Sequence, residues 1–97
     1  MLTGNQKRYL RALAHHRKPV VTVGANGVTE PVLAEIDQAL SHHELIKIKL
    51  PAADAGAKKA MADRICAASG AQWVQTIGRV GVFYRPAAEP SITLPDD

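Results

Sequence analysis

Residues 18–31, Lys18 to Pro31, read KPVVTVGANGVTEP. This stretch decides the fold, because a strand, a glycine-bracketed loop and a helix start follow one another without a spare residue. Val20, Val21, Thr22 and Val23 are β-branched and favour a pleated strand. Gly24 and Gly27 admit backbone angles that other residues resist. Thr29 is a good helix N-cap, and Pro31 suits the first turn, where the missing N–H would have no helical partner anyway. A helix N-terminus therefore points into the loop, and its amides and positive dipole end favour an anion. Five basic residues and no acidic ones precede the loop, at Lys7, Arg8, Arg11, Arg17 and Lys18. The anion expected there is a nucleic-acid backbone.

Upstream, Thr3 and Gln6 form a capping-box pattern, and Tyr9, Leu10 and Leu13 recur at helical spacing through about His16. That stripe is expected to be buried. Downstream, a helix over about Glu30 to His42 carries Val32, Leu33, Ile36, Ala39 and Leu40 on one face. From Leu45 to Leu50, Ile46, Ile48 and Leu50 alternate with Lys47 and Lys49, which predicts a strand with one buried and one basic face. An alanine-rich helix follows from about Asp54 to Ser69, burying Ala60, Met61, Ile65 and Ala68 and stopping at Gly70. Gln72 to Ile77 and Val80 to Tyr84 close the fold as a hairpin around Gly78 and Arg79. The order αβαβαββ is an α/β chain of the two-layer α+β sandwich type, with right-handed crossovers placing the second and third helices on one side of a mixed sheet. Residues 1–86 form a single domain, and 87–97 are read as a short, loosely ordered, acidic-ended tail.

Composition bounds the function. Ninety-seven residues, 46% apolar and 22% charged, suit one soluble domain. The net charge is +3 with a pI of about 9.3. The first eighteen residues hold +5 and the remainder −2, which indicates a local basic surface on a near-neutral body. A lone Cys66 allows no internal disulfide and fits a reducing cytoplasmic setting. No apolar stretch approaches the ~20 residues of a membrane span.

Other residues have plain structural readings beside the functional ones. Adjacent histidines at 15/16 and 42/43 diverge on a helix and cannot clasp one ion, so no metal is expected. Cys66 lies among Ile65, Ala67 and Ala68 and reads as a small core filler rather than a nucleophile. Trp73, Phe83, Tyr84 and Tyr9 are the only Phe, Trp or Tyr residues, and a small core needs at least Trp73 or Phe83 for packing rather than for base stacking. A G-x-x-G string alone usually just turns a chain, and alternating lysines usually solvate a sheet face. No Walker loop, nucleophile elbow, catalytic carboxylate pair or zinc motif is present. No enzyme activity, cofactor or small-molecule substrate is expected.

Three linked segments, LAHHRKPVVTVGANGVTEPVLAEIDQAL, HHELIKIKL and GRVGVFYRP, resemble the CRM domain family, an RNA-binding module named for chloroplast RNA splicing and ribosome maturation, and in particular its stand-alone bacterial YhbY-type branch. The resemblance covers almost the whole chain. It implies a fold like the C-terminal domain of bacterial initiation factor three, with a four-stranded sheet in order 1-2-4-3. It implies binding to structured RNA, association with ribosomal RNA of the precursor large subunit, and a role in ribosome assembly. The family's GxxG loop corresponds to Gly24, Ala25, Asn26 and Gly27, its flanking basic residues to Arg17 and Lys18, and its basic strand to Lys47 and Lys49. Ala25 replaces a polar or basic loop residue, so contact there rests on backbone amides and Asn26. Asp96 and Asp97 make the C-terminus a poor phosphate site. The rival readings are an adaptor whose basic face meets an acidic protein and a small hydrolase using His and Cys66.

Overall fold

The structure, a computed structural model, describes residues 2–96. Its elements run α1 (Gly4–Ala14), β1 (Pro19–Thr22), α2 (Glu30–His43), β2 (Leu45–Lys49), α3 (Ala55–Ser69), β3 (Gln72–Ile77) and β4 (Val80–Tyr84). Local chemistry sets the boundaries. The hydroxyl of Thr3 accepts from the Gln6 amide while the Gln6 side chain accepts from the Thr3 amide, closing the capping box of α1. Thr29 and Asp54 cap α2 and α3 in the same sense, and Gly70, at φ +75°, ends α3 in the left-handed region. The sheet order is β1-β2-β4-β3, with β1 parallel to β2 and β4 antiparallel to both neighbours.

Strand alternation divides the core in two. Ile46, Ile48 and Leu50 face α2 and α3 and pack with Val21, Ile36, Leu40, Ala62, Ile65 and Phe83. Leu45 faces the other way and packs with Leu10 and Ala14 of α1 and with Val74, Val82 and Tyr84. The helical layer α2–α3 and the sheet thus form the sandwich, while α1 covers one part of the sheet's opposite face. Gly81 is required by this packing: a Cβ there would lie 2.8 Å from Cε1 of the fully buried Phe83 ring.

Burial departs from expectation at three places. Tyr9 is 40% exposed, because Leu10 and Ala14 set the inward line of α1 and Tyr9 falls beside it. On α3 the buried line is Ala62 and Ile65 with Met61 and Cys66 beside them, leaving Ala60 and Ala68 exposed. The third departure is the C-terminal segment, which is held rather than loose. Ile92 and Leu94 pack on the α1-side core, and the Gln6 side-chain amide donates to the Pro95 carbonyl at 3.0 Å. Asp96 is exposed, and Asp97 lies outside the described residues.

The anchor of that segment is Glu44. It is the single residue between α2 and β2, and it turns the chain at φ +62°, the one positive-φ non-glycine among the described residues. The residue is 2% exposed, and its carboxylate accepts from the amides of Ala87, Ser91 and Ile92 and from the Ser91 hydroxyl. The Ser91 hydroxyl bond is the main cause holding its pKa down, to about 2; burial opposes it and the three amides add to it.

Candidate nucleic-acid interface

The chain directions of the sheet gather three segments at one end. Parallel β1 and β2 both finish there and antiparallel β4 begins there, so the Gly24–Gly27 loop, Lys49 and the Gly78–Arg79 turn are neighbours. The Thr22–Lys49 register and the bond from the Val23 amide to the Lys49 carbonyl, at 2.8 Å, carry β1–β2 pairing up to the loop. Across the sheet, Lys49 pairs with Val80, the Leu50 amide donates to the Arg79 carbonyl at 2.6 Å, and Arg79 Nε donates to the Leu50 carbonyl at 3.1 Å.

Within the loop, the Gly27 amide donates to the Gly24 carbonyl at 3.0 Å, and Gly27 holds φ +78°. Gly24 needs no positive φ; nothing lies within 4 Å of a Cβ added at either glycine. The loop is therefore open outward, with Gly24, Ala25 and Asn26 exposed. Among the described residues the Ala25 and Asn26 amides make no hydrogen bond. They are the donors an anion would meet.

The N-terminus of α2 contributes less than its position suggests. Pro31 has no N–H, and the Val32 amide is taken by the Thr29 hydroxyl at 3.4 Å, so Glu30 supplies the one first-turn donor left for an outside group. The Glu30 carboxylate also stands there, 3.8 Å from Arg64. An anion grip at this site belongs to the loop amides and the flanking cations more than to the helix end.

Lys47 and Lys49 share the sheet face opposite α2 and α3, by strand alternation from buried Leu45. Lys49 is exposed beside the loop; Lys47 is half-buried in a groove with Arg11 of α1. Arg17 and Lys18 sit elsewhere, at the start of β1, one strand length of roughly 13 Å from the loop. Arg17 is committed internally: Nη1 donates to the carbonyls of His43 at 3.2 Å and Leu45 at 2.7 Å, tying the α1–β1 turn to β2. Lys18 remains exposed.

The sequence reading missed Arg11 and Arg79 as members of this basic surface. Arg11 was visible only as one of several basic residues on the first helix, and the placement of Arg79 beside Lys49 depends on strand pairing. Arg85 serves the fold, donating to the Asp37 carboxylate and carbonyl, the Ser69 carbonyl and the Ser41 hydroxyl, and so clasping β4 to α2 and α3. Tyr84 and Phe83 are core residues, and Trp73 is half-buried with its indole N–H on the Thr76 hydroxyl at 2.8 Å. Burial, reinforced by the Asp63 charge, pushes the half-buried Cys66 thiol up, away from thiolate reactivity. Among the described residues no three His, Cys, Asp or Glu side chains are grouped to hold a metal, and no helix is long and apolar enough to cross a membrane.

The chain belongs to the CRS1/YhbY (CRM) domain family, whose pattern matches residues 2–85. A Haemophilus influenzae protein named as an RNA-binding protein is 51% identical, the match covering 97% of this chain and 95% of that one. A Pseudomonas aeruginosa protein, named a "probable RNA-binding protein", is 44% identical over 96% of this chain and 89% of its own. A Staphylococcus aureus protein of 40% identity, whose solution structure was described under a proposed RNA-binding role, superposes with a TM-score of 0.86, covering 98% of this chain and all of that one.

Proposed function

We propose that this chain binds structured RNA through the α1-side sheet face and the Gly24–Gly27 loop, that its RNA is ribosomal RNA of the precursor large subunit, and that it acts in the cytoplasm as an assembly factor with no chemistry of its own. The observation that carries the reading is the run of cations on the α1-side sheet face. Arg11, Lys47, Lys49 and Arg79 follow the open sheet face to the loop. Glu35 and Asp37 of α2 lie on the helical layer behind it, α3 carries both signs with Lys58, Lys59 and Arg64 beside Asp63, and Glu30 stands next to the loop. A phosphate backbone laid along the basic face gains charge-assisted contacts and counterion release away from Glu35 and Asp37, and meets the Glu30 carboxylate only at the loop end. The loop amides of Ala25 and Asn26 add a site for one phosphate that no side chain obstructs. The RNA-binding names of full-length relatives support the partner class; the ribosomal assignment rests on the family resemblance.

Density-gradient fractionation of cell extract, with and without ribonuclease, tests the proposal. The protein is expected in the precursor large-subunit fractions and is expected to leave them after ribonuclease treatment. Complexes that survive ribonuclease would instead identify an acidic protein partner, and a protein that stays at the top of both gradients would remove the ribosomal assignment.

A further inference from the structure

α1 leaves part of the sheet bare. Leu10 and Ala14 cover Leu45 and Tyr84, but the helix stops at Ala14 and the chain turns away to β1. Beyond that stop lies a groove of about 270 Å³ between α1 and the sheet. Its floor takes Lys47, Val82 and Gln75 from one cross-strand row and Val80 and Ile77 from the next, where Val80 pairs with Lys49 outside the groove. The valines are therefore flanked by ammonium groups on one side and by an amide and an apolar side chain on the other. Ile77 is 68% exposed, the highest value among the exposed large hydrophobics.

We infer that this groove is a pocket for one unpaired nucleobase of the bound RNA, with the base lying on Val80 and Ile77, its edge against the Gln75 amide, and its phosphates on Lys47 and Arg11. The inference rests on the RNA-binding reading above and adds a specificity element to it. A face that only tracked phosphates would gain nothing from an apolar strip, and paired bases cannot present their faces to it. An unpaired base can, and such bases are read by stacking on flat groups, including arginine guanidinium, together with hydrogen bonds along their edges. The Gln75 amide supplies both donor and acceptor, and Arg11 lines the same groove. The volume lies just below the usual range for small-molecule pockets, which suits a single ring system rather than two stacked bases.

The test compares two short RNA hairpins that differ by one bulged nucleotide, titrated against the full chain at fixed salt. Wild-type protein is expected to prefer the bulged hairpin by at least about fivefold, the lower end for one stacked base. Ile77→Ser and Gln75→Ala, both away from the core, are expected to abolish that preference while leaving affinity for the fully paired hairpin unchanged. A wild-type preference below about fivefold, or one that survives both substitutions, overturns the pocket while leaving RNA binding intact. Failure to bind either hairpin overturns the RNA reading and the pocket with it.

Discussion

Glu44 and Ser91, 47 residues apart, are joined twice, the Ser91 amide and hydroxyl both donating to the same carboxylate oxygen at 2.8 and 2.5 Å. The pair converts a helix cap into the mooring of the C-terminal segment. Glu44 holds φ +62° with ψ −48°, a sparsely populated backbone conformation better suited to glycine, with a typical penalty of about 1–3 kcal/mol. Glycine could not collect the amides of Ala87, Ser91 and Ile92.

Acid should release this mooring. The Glu44 carboxyl titrates at about 2 in the fold against an ordinary value of 4.5. Because the folded pKa is the lower one, its contribution to stability is fully present above about 4.5 and is lost as pH falls toward about 2. Glu44→Gln removes the charge and turns an NH₂ toward backbone donors, so it should destabilise the fold by about 1–3 kcal/mol at neutral pH. Melting temperatures of wild type and variant between pH 7 and pH 2 should converge as acid removes the wild-type advantage. Curves that stay parallel would show that the charge contributes nothing.

Gly81→Ala should destabilise the fold by about 1–3 kcal/mol, as overpacking does. The new methyl would meet the Phe83 ring at 2.8 Å, and that ring is fully enclosed. Urea denaturation measures the difference, and an unchanged midpoint would mean that the ring has room to swing aside.

Adjacent Arg17 and Lys18 should separate by phenotype. Arg17→Ala removes a cation hydrogen-bonded to two carbonyls, of His43 and Leu45, and should cost about 1.5–3 kcal/mol of stability. Lys18→Ala should leave stability unchanged and reduce the slope of log affinity against log salt by of order one if Lys18 meets a phosphate. Denaturation and salt titration of the two single variants check this. An Arg17→Ala protein of full stability would return that guanidinium to the candidate interface.

Local patterns carried most of the architecture. The Ile46–Leu50 alternation specifies both a strand and its faces, Thr3 and Thr29 mark helix starts by side-chain chemistry, and Gly78 marks the hairpin with φ +58°. The α3 face was harder to place because alanine at 55, 57, 60, 62, 67 and 68 is apolar all round the helix, so periodicity cannot select a side. The role of Glu44 was not legible because its partners lie more than 40 residues downstream in a segment of turn-like composition. The candidate site divided in the same way. The loop and the two strand lysines follow from local spacing, whereas the inward use of Arg17 and the arrival of Arg79 beside Lys49 depend on tertiary pairing.

The two loop glycines allow steric access and charge to be tested separately. Gly24 has no positive φ and open space around an added Cβ, so Gly24→Ala should leave the fold intact and weaken RNA binding only if a phosphate comes within methyl distance of the main chain. Gly27 holds φ +78°, a region that Asn and Asp tolerate better than other non-glycine residues. Gly27→Asn and Gly27→Asp therefore impose similar backbone demands and differ chiefly in charge. Asp should weaken binding more than Asn, and the gap between them should narrow as salt rises, because the repulsion acts across an exposed loop where ions screen it. Circular dichroism confirms folding, and binding isotherms at several salt concentrations give the comparison. If all three folded variants bind RNA like wild type at every salt concentration, no phosphate sits at Gly24–Gly27, and the contact belongs to the sheet face around Lys47 and Lys49.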